Sequence, residues 1–284
     1  MTKQKNKLLK LKNNNLALSA KNNYSLSIQL SLDGFSFCIY NGTLEQLEAL
    51  KTYQIKAKTH KDLLTEIKSI FNKEPLLDFD FKKVSVCHVN NLATLVPKSF
   101  FDNTKLNQYL NLSIKTLKND YFDYDELTVI DAVNVYIPFV NVNNFLIDKF
   151  GSFEFNHTSS LFIKNILEHS SKSINANMYV YIFEYQLDIL VCRAHKLMLY
   201  NSFNYKTKED FIYYILFVAE QLEMDAKYFE LNLLGNISTT SSYYNLAYTY
   251  VKNVKLFNYN LNYKTIIPLS DLQKRRFYNL LHQV

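Results

Sequence analysis

The sequence predicts an α/β protein built from two related halves. Three observations carry that prediction. An alternating polar–apolar run near the start meets an Asp-Gly dipeptide, a capping box opens an amphipathic helix at Thr59, and the same helix start returns at Thr207.

Ser25 to Leu32 alternates strictly, with Leu26, Ile28, Leu30 and Leu32 on one face and Ser25, Ser27, Gln29 and Ser31 on the other. A period of two marks a half-buried strand. Asp33-Gly34 follows, the pair that suits a two-residue type I′ turn because both positions need positive φ. Phe35, Phe37 and Ile39 resume the apolar face. With Asp33-Gly34 as the loop, Leu32 faces Phe35, Leu30 faces Phe37 and Ile28 faces Ile39. A third strand is expected across Leu47 to Ile55. Thr59, with Asp62 three residues on, then starts a helix whose apolar stripe is Leu63, Leu64, Ile67, Ile70 and Phe71. Pro75 closes that segment, and Val84, Val86 and Val89 mark another strand.

The second half repeats this order. Met178–Phe183, Leu187–Arg193 and Lys196–Phe203 read as three strands. Thr207 and Asp210 repeat the cap, and Phe211, Ile212, Ile215, Val218 and Ala219 repeat the stripe. Leu231–Leu234 is the strand that follows. Between the halves, Val96–Leu110 reads as a loop and helix, Leu127–Pro138 as one or two strands, and Asn141–Phe150 and Ser159–Ser170 as helices. The polar stretch Ser170–Asn177 is the expected linker. An amphipathic helix is expected from about Ser270. The organisation is therefore a basic leader over residues 1–23, a first half over 24–172 and a second half over 173–284.

Composition narrows the function classes. The first 32 residues hold six lysines (Lys3, Lys5, Lys7, Lys10, Lys12, Lys21) and no acid, which leaves 26 basic against 26 acidic residues in the remainder. The folded body is neutral, so the +6 belongs to the leader and no basic footprint for nucleic acid lies on the domains. Lysines break up Leu8, Leu9 and Leu11, so the leader lacks a signal peptide's apolar stretch. No apolar window is long enough for a transmembrane helix. Cys38, Cys87 and Cys192 are odd in number and far apart, as expected of buried thiols in a reducing cytoplasm. The 22 Tyr and 21 Phe beside no Trp accompany heavy Asn and Lys usage, the mark of AT-rich coding rather than a stacking surface.

A three-stranded meander, crossover helix and further strands, used twice, resembles the actin-like ATPase fold of duplicated ribonuclease-H-like halves. That fold is shared by actin, Hsp70-type chaperones and sugar kinases. More closely, Leu26-Ser27-Ile28-Gln29-Leu30-Ser31 with Asp33-Gly34-Phe35-Ser36-Phe37 is similar to a Bacteroidota family catalogued as domain of unknown function 3822. Tyr181-Ile182-Phe183 through Leu197-Leu199-Tyr200-Asn201 extends the resemblance, which covers about residues 24 to 284. It implies the actin-like fold and no function. In active relatives ATP sits between the halves, held by Asp, Gly and a hydroxyl of the first hairpin, Asp-x-Gly of the second, and glycines after a later strand. Here Asp33, Gly34 and Ser36 stand at the first position and a lone Gly235 at the third. The second hairpin, Phe183-Glu184-Tyr185-Gln186-Leu187-Asp188, has no glycine, so side chains stand where backbone would approach phosphate.

Other chemistry has no complete constellation. P-loop, Rossmann, zinc and nucleophile-elbow spacings are absent. Cys87-His88 is adjacent on a strand, which sends the two side chains to opposite faces. Asp120, Asp123, Asp125, Glu126 and Asp131 read as a solvated loop without EF-hand spacing. These readings favour a non-catalytic actin-like module that binds a protein partner, with no cofactor. ATP with magnesium, at Asp33, Gly34 and Gly235, is the alternative. Tyr243, Tyr244, Tyr248 and Tyr250 crowd one segment, and one or two of them should stand exposed.

Overall fold

The computed structural model describes residues 10–12, 23–117, 119–169 and 175–284. The first half holds β1 (Lys10–Lys12), β2 (Tyr24–Leu30), β3 (Gly34–Asn41), β4 (Gln46–Gln54), α1 (His60–Phe71) and β5 (Lys83–His88). An insertion follows, with β6 (Ala93–Pro97), α2 (Leu106–Asn111), β7 (Asp123–Leu127) and β8 (Ala132–Tyr136). The first half then closes with α3 (Val140–Phe150), β9 (Glu154–His157) and α4 (Thr158–His169). The second half runs through β10 (Asn177–Ile182), β11 (Gln186–Arg193), β12 (Lys196–Asn204), α5 (Lys208–Gln221), β13 (Glu230–Gly235), α6 (Ser242–Tyr250) and β14 (Asn253–Leu256). β15 (Lys264–Thr265), α7 (Asp271–Arg276) and α8 (Tyr278–Leu281) end the chain.

The two large sheets share one topology. In the first the order is β4-β3-β2-β5-β9, with β1 and β15 added outside β4; in the second it is β12-β11-β10-β13-β14. Each opens with an antiparallel meander. Each then places two parallel strands beyond the first meander strand. The halves are duplicated ribonuclease-H-like units. The insertion forms a separate sheet, β6-β8-β7.

The period-two pattern decides which faces are buried. Leu26, Ile28 and Leu30 of β2 pack with Phe35, Phe37 and Ile39 of β3 and with Leu63 and Ile67 of α1. In the second half Val180 and Ile189 pack with Phe211, Ile215 and Val218 of α5. Both helices start on the predicted capping box: Thr59 accepts from Asp62 N, Thr207 accepts from Asp210 N, and each Asp returns a bond to its cap. Because the two boxes are alike, Thr59→Ala and Thr207→Ala should each cost about 1 kcal/mol in urea denaturation. A loss from one alone would show that the halves do not unfold together.

The first hairpin departs from the predicted register. Leu30 pairs with Phe35, Ile28 with Phe37 and Leu26 with Ile39. The shift is two residues, so each side chain keeps its face. Ser31 N–H donates to Gly34 O at 2.9 Å, which puts Leu32-Asp33 at the tip. Neither Asp33 nor Gly34 has positive φ, so no type I′ turn forms. The cause lies downstream. The chain leaving β4 donates from Ile55 N to Asp33 O and from Ala57 N to Leu32 O, holding the tip in a strand-like conformation.

Four further corrections follow from the remaining elements. Within the basic leader, Lys10–Lys12 lies antiparallel along β4. The C-terminal segment returns to the first half: β15 pairs with β4, and Phe277, Leu280 and Leu281 pack against Cys38, Leu47 and Leu50. The expected C-terminal helix breaks at Phe277. The acidic run is not a solvated loop either, because Asp125 sits in β7 and is buried. Residues 170–174 of the expected linker lie outside the described residues.

Candidate functional site

Equivalent strand ends place the two hairpins and Gly235 around the cleft between the halves. At the first tip, Ser31 Oγ bonds Asp33 and reaches Gly34 O at 3.2 Å. A Cβ on Gly34 would meet only ordinary contacts at 3.7 Å, so the position does not demand glycine. Gly235 is different. It ends β13 opposite Ile182, with φ of 98°, and a Cβ there would stand 2.2 Å from Ile182 O. That glycine is required for close approach of two parallel strands.

The second tip is a bare two-residue turn, closed by Phe183 N donating to Gln186 O at 2.9 Å. Gln186 Nε2 donates to Asn90 O across the cleft at 3.4 Å and to Asp188 Oδ1 at 2.8 Å. A second bridge runs from Asn91 Nδ2 to Asn204 Oδ1 at 3.2 Å.

α7 lies beside the turn that follows Gly235. Arg275 Nη1 donates to Asn258 Oδ1 at 2.8 Å, and Nη2 reaches Ile237 O, two residues past Gly235. Burial lowers the pKa of the next guanidinium, Arg276, while the charges of Tyr181, Glu184 and Asp33 oppose that shift. Arg276 forms no ion pair with Asp33 or Glu184 among the described residues.

A buried polar seam joins the insertion, the first half and the second. His157 ends β9 just ahead of α4: its Nδ1 accepts from Ser159 N at 3.2 Å and bonds Ser159 Oγ at 2.6 Å, while Nε2 faces Asn90 Oδ1 at 3.2 Å. Asn134 Nδ2 donates to Ser159 Oγ and Ser160 Oγ at 2.8 Å. The His–Ser pair is thus a helix cap held in a network, and Ser159 is fully buried, so it offers no accessible nucleophile. Asp125 accepts from Tyr136 Oη, Asn156 Nδ2 and His157 N. Asp188, taken from the sequence as a strand-face residue, is fully buried; burial raises its pKa to about 6, against bonds from Ser202, Gln186 and Tyr200.

Cys87 and His88 point to opposite faces, as their adjacency requires. Burial raises the Cys87 thiol, while His88 accepts from Phe139 N and is lowered by burial to about 3. Among the described residues, no group of three His, Cys, Asp or Glu could hold a metal. Nor is any helix long and apolar enough to cross a membrane.

A groove of about 530 Å³ opens beside the seam. Its walls are β6, residues of the β12 edge (Tyr200, Asn201, Ser202) and Ser113-Ile114, with Asn134 and His157 below. A second cavity, about 370 Å³, lies over Asp123, Asp125 and Tyr136. Neither is lined by Asp33, Gly34 or Gly235.

The two duplicated sheets define an actin-like ATPase fold. The protein belongs to the family described as Protein of unknown function (DUF3822), which matches residues 13–254. A crystal structure from Bacteroides thetaiotaomicron, of a protein with actin-like ATPase fold and unknown function, is similar: 26% identity over 83% of this chain and 91% of that one, with a TM-score of 0.76. The PilM-PilN type IV pilus biogenesis complex contains a chain of the same fold, at 12% identity, covering 91% of this chain and 98% of that one, with a TM-score of 0.58. No curated protein matches.

Proposed function

We propose that this protein is a non-catalytic actin-like module that binds another protein, and that it works in the cytoplasm. The observation that carries the reading is the second hairpin, a two-residue turn without glycine whose Gln186 is tied by its own side chain to Asn90 O. Phosphoryl transfer depends on positioning and on charge stabilisation by metal and backbone donors. Here the charge of Arg276 acts at Asp33 and Glu184, which weakens any attraction they would offer a magnesium ion. Gln186 spans the cleft at the turn that would otherwise present backbone. Three buried free thiols suit a reducing compartment. The PilM-PilN structure is a precedent for a chain of this fold joined to a partner protein. Exposed aromatics supply contact area: Tyr248 and Tyr250 of α6 are 64% and 53% exposed, while Tyr243 and Tyr244 pack on the core.

The test is thermal unfolding and phosphate release with magnesium and ATP. The expected result is an unchanged Tm at millimolar nucleotide and no release that Asp33→Asn abolishes. Stabilisation at micromolar ATP, with turnover on the order of 1 per second, would replace this reading with nucleotide hydrolysis. Stabilisation without turnover would support a nucleotide-binding protein.

A further inference from the structure

The duplicated halves differ at one edge. In the first sheet the third meander strand, β4, is covered on its outer side by β1 and by β15. Its counterpart β12 is nine residues long and, among the described residues, pairs with β11 alone. An open strand edge is a template for further pairing. Tyr205 N–H donates to Tyr185 O, which marks 205–185 as a hydrogen-bonded pair. Alternation then turns the amides of Leu199, Asn201 and Phe203 towards β11, and those of Tyr200 and Ser202 outward. Ser202 N–H is taken by Asn201 Oδ1 at 2.8 Å, and the outward groups of Tyr200 have no backbone partner among the described residues.

The facing wall of the groove is a second open edge. β6 pairs only with β8, and the bonds Ile137 N to Leu92 O and Lys98 N to Asp131 O fix the phase of that ladder. Ala93 and Leu95 therefore turn their backbone groups outward, and Pro97 occupies an edge position where no donor is needed. The groove lining carries no Lys, Arg, Asp or Glu. Burial lowers its one titratable imidazole, His157, to about 3, so the groove is uncharged at neutral pH.

We infer that this groove takes an extended segment of a partner protein, added as a strand to β12 with β6 on its other side. The inference rests on the partner-binding reading above and names the kind of partner. Side chains of an added strand alternate between two different environments. One face meets Leu199 and Phe203, with Tyr214 stacked on Phe203 at 4.5 Å and Tyr213 and Phe217 exposed beyond them on α5. The other meets Ser202, Asn134 and His157. The matching segment alternates large apolar residues with small uncharged polar ones. Charged side chains are disfavoured inside, since the lining has no counter-charge. The inserted sheet stands across the groove, so a single segment enters where the edge of a second folded copy would collide with β6.

A displayed library of random twelve-residue peptides, selected on the full chain, tests this. Enrichment of alternating apolar and small polar sequences is expected, and a synthetic peptide of the enriched pattern should slow amide exchange at Tyr200, Ala93 and Leu95. Asn201→Lys, which adds a charge to an exposed edge position, should weaken that peptide about tenfold or more at unchanged Tm. Ala93→Pro, removing one outward donor of β6, should weaken it as well. Enriched peptides that bind both variants like wild type would overturn the groove while leaving partner binding standing. No enrichment over the Asn201→Lys control, or concentration-dependent protection of Tyr200 without peptide, would overturn the proposal, the latter in favour of a second copy.

Discussion

Gly235→Ala should destabilise the protein by about 3–5 kcal/mol, far more than any other single-methyl change at the cleft. Two costs combine. A φ of 98° lies outside the conformations that an alanine adopts readily, and the added Cβ would stand 2.2 Å from Ile182 O. The obstructing atom is backbone at the paired end of β10, so relief requires the central strands of the second sheet to separate. Gly34→Ala is the matched control, because its Cβ would meet nothing nearer than 3.7 Å and its φ is not positive. That change should stay within about 0.5 kcal/mol. Urea denaturation of both variants checks the contrast. A Gly235→Ala loss below about 1 kcal/mol would show that the β13 end moves freely, as a nucleotide-adapting loop would.

This contrast shows how far the cleft was legible. Asp33, Gly34 and Gly235 come from the family resemblance; turns are written in local residue types, which marked the first hairpin but set its tip one residue late. Which glycine is indispensable depends on Ile182, and no local pattern reports that neighbour. The duplication was legible for the same reason as the turns: Thr59/Asp62 and Thr207/Asp210 satisfy helix amides a few residues away. The meander strands showed themselves by alternation. β1, β9, β14 and β15 are two to four residues long and owe their existence to strands distant in the chain. Arg276 is comparable, a basic residue whose significance comes from Asp33 and Glu184. The hairpin register needed information from Ile55 and Ala57, outside the hairpin itself. Asp125 read as one acid of a polar run, because its strand β7 is set by pairing with β8 rather than by an apolar alternation of its own.

Acidification should destabilise this protein from about pH 6.5 downwards, above the range where ordinary carboxylates titrate. Three imidazoles are held neutral inside the fold, chiefly by burial: His88 and His157 are lowered to about 3 and His282 to about 4. Each has a reason to stay so. His88 Nδ1 accepts from Phe139 N and His157 Nδ1 accepts from Ser159 N, while His282 is lowered by burial of its ring against Tyr278, in opposition to the bond it donates to Tyr278 O. A histidine whose folded pKa is depressed leaves the unfolded chain with the extra proton. Stability is therefore full above about pH 6.5 and falls with pH down towards the folded values. Below 6.5 the cost is roughly 1.4 kcal/mol per unit for each histidine. Asp188 acts in the opposite sense. Its folded pKa of about 6 is raised above the ordinary 3.8, so it destabilises the fold at neutral pH and recovers stability as pH falls through 6. One carboxyl offsets only about a third of three imidazoles, leaving a net loss of about 4 kcal/mol between pH 7 and 5. That is a large share of a typical domain's 5–15 kcal/mol, taken as about 10 here. Urea denaturation at pH 7, 6 and 5 measures the loss. Asp188→Asn separates the two contributions: the variant should be more stable at pH 7, yet lose stability more steeply below 6. A flat profile in the wild type would show that the interior admits water to these rings. A variant as stable as wild type at pH 7 would show that Asp188 is better solvated in the folded protein than its burial implies.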